Sequence, residues 1–135
     1  MTIHVDWDNP EQTTLLWTVA GRWTWQESSD AIAKAWAMME SSPLPLVDSI
    51  VDMRHGNLVP DNALSNFSRT LSNAHPKTGF IVMAGMPPFI QALLNVYIRS
   101  QRASKRKISA VKTLEEARSI LKTQHQASVV SSGQL

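Results

Sequence analysis

Apolar and polar side chains alternate through Ile3-His4-Val5-Asp6-Trp7, the period-two signature of a strand buried on one side. Asp8-Asn9-Pro10-Glu11-Gln12 is a turn by composition. Thr13–Gly21, rich in β-branched and bulky residues, predicts a second strand paired antiparallel to the first. The period then changes. Thr24 followed by Glu27 has the spacing of a capping box, and Ile32, Ala35, Trp36 and Met39 recur on one face of the helix it opens. Ser41-Ser42-Pro43-Leu44-Pro45 stops that helix. Leu46–Met53 is nearly continuously apolar, broken only by Asp48, Ser49 and Asp52, as in a strand covered on both faces of a parallel sheet. Arg54-His55-Gly56-Asn57 is expected to end it.

Beyond Pro60, the residues Leu64, Phe67, Leu71 and Ala74 follow helical spacing, and His75-Pro76 closes the helix. Phe80–Ala84 predicts an all-apolar strand. Gly85-Met86-Pro87-Pro88 opens a helix reaching about Arg102, since proline is tolerated in a first turn. Lys107–Val111 is a short last strand. Thr113 and Glu116 form a second capping box, before a helix lined by Leu114, Ala117, Ile120 and Leu121. Gln124–Leu135 is polar, small and aperiodic and reads as a disordered tail. The order β-β-α-β-α-β-α-β-α predicts an α/β fold. It would form one domain over residues 1–123, a mixed, mostly parallel sheet of about five strands with four helices, followed by the tail at 124–135.

This pattern resembles the STAS domain, the family of anti-sigma factor antagonists and of the cytoplasmic domains of sulfate transporters. The resemblance spans roughly residues 3–122. It rests on the element order, on Val47-Asp48-Ser49-Ile50-Val51-Asp52-Met53, similar to the family's apolar strand ending in Asp-Leu, and on Val111-Lys112-Thr113-Leu114-Glu115-Glu116-Ala117 near the end. The family's antagonists carry a phosphorylatable Ser or Thr about ten residues past the strand's aspartate. That place falls here near Asp61-Asn62-Ala63, which has no hydroxyl. The resemblance therefore implies an interaction module that docks a protein around this loop, without the family's phosphorylation switch. Asp61 suits a helix start as a cap, and its charge also imitates part of a phosphoserine's.

Composition narrows the classes further. With 135 residues, 43% hydrophobic and 18% charged, one packed core is expected. The absence of cysteine excludes disulfides, thiolate metal sites and cysteine nucleophiles. No apolar run approaches the ~18 residues of a membrane span, and no secretory signal opens the chain, so a soluble cytoplasmic protein is expected. Net charge is +2, but residues 1–98 hold five Lys/Arg against nine acids, and residues 99–135 hold eight against two. Five of those eight lie in Arg99–Lys107. The five tryptophans all stand at or before residue 36, away from these cations, which argues against a nucleic-acid surface. The helix around residues 89–98 has few cations on its polar face, which argues against membrane docking.

In open α/β sheets, ligands bind beyond the carboxyl ends of the strands. That rim would gather Asp52, Arg54, His55, Asn57, Asp61 and Asn62 as candidate partner- or ligand-binding residues. No phosphate-binding glycine loop with lysine, nucleophile elbow or His-x-Glu pair accompanies them, and Arg54 has a ready structural role as partner of Asp52. A non-enzymatic module without cofactor is expected. The four histidines have no metal-ligand spacing, so no metal site is expected. Phe89 and Tyr97, on an apolar helix, and Trp23, at a strand-to-helix junction, are interface candidates, for another protein or for a homodimer. The tryptophans would serve either as core packing or as an aromatic ligand cradle. The leading expectation is a protein-interaction module. Its alternative is a domain that binds a small anionic or lipid-like molecule, and an enzyme is the third reading.

Overall fold

Turn chemistry sets the opening hairpin. Asn9 accepts a 3.0 Å hydrogen bond from the Thr13 N–H, the Asp8 N–H donates to the Thr14 carbonyl at 2.8 Å, and Gln12 takes a φ of 59°. Strands β1 (Ile3–Trp7) and β2 (Thr14–Arg22) therefore pair antiparallel, with Ile3 opposite Val19 and Trp7 opposite Leu15. The structure, a computed structural model, describes residues 2–58, 65–66, 69–70, 73–88, 91–92, 95–96 and 108–133.

Helix α1 (Trp25–Ser41) begins at its expected cap: the Glu27 N–H donates to Thr24 Oγ1 at 3.1 Å. The Glu27 carboxylate also accepts from the hydroxyl and backbone N–H of Thr2, which ties the start of the chain to this helix and holds the carboxyl below its ordinary pKa. Three further strands follow, β3 (Val47–Leu58), β4 (Thr78–Ala84) and β5 (Ile108–Val111), and then helix α2 (Leu114–Gly133). The five strands lie in the order β1-β2-β3-β4-β5, all neighbours parallel except β1 with β2. The expected α/β class with a mixed, mostly parallel five-stranded sheet is what the molecule has.

Strand alternation sorts the core into two layers. One sheet face presents Ile3, Val5, Leu15, Val19 and Val47 to Ala31, Ala35 and Met39 of α1. The other presents Ile50 and Val82 to Ala117 and Leu121 of α2, flanked by Leu16, Phe80, Val111, Leu114 and Ile120. The buried stripe of α1 is rotated from the expected one. Of the expected stripe Ala35 and Met39 are buried, joined by Ala31, whereas Ile32 is half-buried and Trp36 is 37% exposed. Two alanines one turn apart let the helix backbone approach the sheet, which swings the bulkier Ile32 and Trp36 onto its shoulder.

Three expectations change. β3 does not end at Arg54 but runs to Leu58, because an irregularity opposite Thr18–Ala20 absorbs the extra residue and pairing resumes with Ala20 opposite His55 and Gly21 opposite Gly56. The backbone at 124–133, expected as disordered tail, continues α2: no proline interrupts it, and extending an established helix costs far less than starting one. Instead of four helices, two are complete among the described residues. The other two expected helices lie largely outside the described residues, which have helical backbone at 65–66, 69–70, 88, 91–92 and 95–96. No helix among the described residues is long and apolar enough to cross a membrane.

Candidate functional site

The second half of β3 carries the candidates expected at the carboxyl rim. Asp52 is buried, opposite Thr18 of β2 and Ala84 of β4. Arg54 clamps it: Nε donates to Oδ1 at 2.9 Å, a terminal nitrogen donates to Oδ2 at 3.0 Å, and the Arg54 backbone N–H adds a bond of 3.1 Å. These bonds hold the Asp52 carboxyl below its ordinary pKa against burial, which pushes it up. Gly85 makes room for the clamp. Its φ is 71°, and a Cβ there would stand 2.3 Å from Arg54 Cγ. A carboxylate so fully engaged is not available as a general base. His55 is exposed beside the pair, and Asn57 lies on the backbone of β3. Asp61, Asn62, Phe89 and Tyr97 lie outside the described residues. Arg54, His55 and Asn57 thus belong to β3 and not to a loop that follows it.

A second pair went unread in the sequence because its members are 110 positions apart. Arg118 donates to both carboxylate oxygens of the nearly buried Asp8, at 3.0 and 2.7 Å, strapping the hairpin turn to α2. Asp48 joins two neighbouring strands. Its Oδ1 accepts the Phe80 N–H at 2.8 Å, at a point where a Cβ on Gly79 would come within 2.3 Å of that oxygen. Among the described residues no group of three or more His, Asp or Glu is placed to hold a metal ion.

On the α1 side of the sheet lies an apolar cavity of about 160 Å³. Trp17, Val51, Met53, Ile81 and Met83 form its floor on the central strands; Ile32, Trp36 and Met39 flank it from α1. Trp23, Trp25, Thr70, Ala74 and Met86 also line it. None of the described lining residues is charged. Four of the chain's five tryptophans and four of its six methionines meet here. Trp17 Nε1 donates to Ser49 Oγ at 3.2 Å. Trp23, expected at an interface, is instead buried at 5% exposure and packs edge-to-face on Trp25, ring centres 4.9 Å apart. Its location follows from the junction it occupies: β2 hands the chain to α1 there, under the helix rather than outside it. Trp23 Nε1 is buried with no hydrogen-bond partner among the described residues.

The cavity was legible only as the aromatic-cradle alternative. The tryptophans signal an aromatic surface, but whether they fill a core or surround a space depends on the rotation of α1, which its helical periodicity misplaces. Comparison of the chain with models of protein families and with curated proteins gives no match.

Proposed function

We propose that this chain is a non-enzymatic, STAS-like regulatory module that takes up a small apolar molecule between its sheet and α1. The remaining two helices of that architecture would lie in the β3–β4 and β4–β5 connections, and the module would work in the cytoplasm. The observation that carries the reading is the cavity: a space whose described lining is uncharged and rich in tryptophan and methionine, the side chains that give large contact area and adaptable shape. The engagement of Asp52 by Arg54 supports a binding role over catalysis. Thermal-shift screening with apolar compounds tests it, because a ligand at 100 times its Kd adds about 2.7 kcal/mol of stability. A stabilising compound whose effect disappears when Val51→Phe fills the floor is the expected result. A screen in which no apolar compound stabilises the protein contradicts it.

A second reading, a protein docking on the carboxyl rim, is favoured by one observation. Arg54 is 41% exposed at its side chain yet fixed by Asp52, next to the exposed His55, which makes an ordered polar edge. It predicts a partner recovered by the wild-type chain and lost on Asp61→Arg. Equal recovery by both removes it.

A further inference from the structure

Resting on the reading of the cavity as a ligand site, we infer the class of its ligand: a neutral molecule of about one aromatic ring, not an anion and not a long-chain lipid. Charge comes first. No lysine, arginine or histidine is among the described residues that line the cavity. Two described cations next to the lining in sequence are engaged elsewhere. Arg54 is held by Asp52, and Lys77 donates to the Ser42 carbonyl at 2.5 Å. His75 meets Glu40 at 3.2 Å and lies edge-on to Trp36, outside the lining. A carboxylate or phosphate placed among Trp17, Met53 and Met83 would lose its water without gaining a counter-charge from the described lining, whose donors are neutral hydroxyls and the Trp23 N–H, so its neutral form is favoured. The polar side chains of the described lining besides the indoles are the hydroxyls of Ser28, Ser49, Thr70 and Thr78, neutral groups that do not replace a counter-charge, and Ser49 accepts the Trp17 N–H.

Size follows from volume. The space is about 160 Å³. Apolar cavities of roughly 150 Å³ take up benzene, so one ring with a short substituent matches this half-open space, whereas a fused three-ring system or a long acyl chain would leave much of its apolar surface outside in water. Shape and polarisability favour an aromatic ring over a branched alkane. Indole walls offer edge and face contacts to a second ring, and the thioethers of Met39, Met53 and Met83 make favourable sulfur–aromatic contacts.

The test uses the full chain with its methionine methyl groups labelled by carbon-13, titrated separately with ethylbenzene, phenylacetate, anthracene and palmitate. Ethylbenzene is expected to saturate one site, shift the methyl resonances of Met39, Met53 and Met83, and bind at least about tenfold more tightly than phenylacetate at pH 7. Lowering the pH toward the pKa of phenylacetic acid is expected to narrow that gap. Phenylacetate binding as tightly as ethylbenzene at pH 7 would overturn the neutral assignment, and tighter binding of anthracene or palmitate would overturn the size assignment; both leave the cavity reading standing. If none of the four probes moves these methyl groups, the cavity reading itself fails. All four arms use the wild-type protein, so no variant has to fold.

Discussion

A methyl group on Gly85 would stand 2.3 Å from Arg54 Cγ and 3.1 Å from its Cα, at a φ of 71° that side chains rarely adopt. Gly85→Ala is therefore expected to lower stability by about 1–3 kcal/mol, measured by chemical denaturation. The Asp52 clamp gives a pH prediction. Its carboxyl is held below the ordinary value in the folded state, so the unfolded chain takes up the proton first as pH falls. The stabilisation is complete above the unfolded carboxylate range, near pH 4, and disappears as pH drops through the lower folded value. The stability gap between wild type and Asp52→Asn is expected to be widest at neutral pH and to close in acid. A gap that stays constant down to acid unfolding contradicts the clamp. The two indoles supply a paired test. Replacing Trp23 by its benzothienyl isostere, which lacks the N–H, removes an unpartnered buried donor and should stabilise by about 1 kcal/mol; the same change at Trp17 breaks its bond to Ser49 and should destabilise by a similar amount.

Among the elements, α1 decides whether a cavity exists. Its alanines bring it down onto β1 and β2, while Ile32 and Trp36 stand off to the side that faces the cavity. Ala35→Leu would lift the helix from the sheet and is expected to cost about 1–3 kcal/mol, with a loss of near-ultraviolet dichroism from the tryptophans it displaces. Among the described side chains, helix α2 is anchored by Ala117 and Leu121 and strapped by Arg118 to Asp8, within its first half. Deleting residues 125–135 is thus expected to reduce helical circular dichroism while leaving the denaturation midpoint nearly unchanged.

At the scale of the whole molecule, what could be read from the sequence divides along a physical line. Strand alternation, the two capping boxes and the double-sided apolar character of β3 are local signals, and they place the hairpin, α1, α2 and the sheet class correctly. The Asp52–Arg54 pair is also local, two positions apart. What depends on three-dimensional approach was not legible: the strap from Asp8 to Arg118, the extension of β3 past Arg54 through pairing with β2, and the burial of Trp23 beneath α1. The cavity belongs to this second group. It exists where Ala31, Ala35 and Met39 meet the sheet while Ile32 and Trp36, expected on the same face as Ala35 and Met39, stand to the side.

Xenon measures that space without any assumption about a natural ligand, since it enters dry apolar cavities and ignores polar surfaces. Diffraction from crystals of the protein under xenon pressure should show a xenon atom on the α1 side of the sheet, between Trp17, Trp36, Met53 and Met83. Side chains filling that volume, with no xenon bound on this face, would contradict the account.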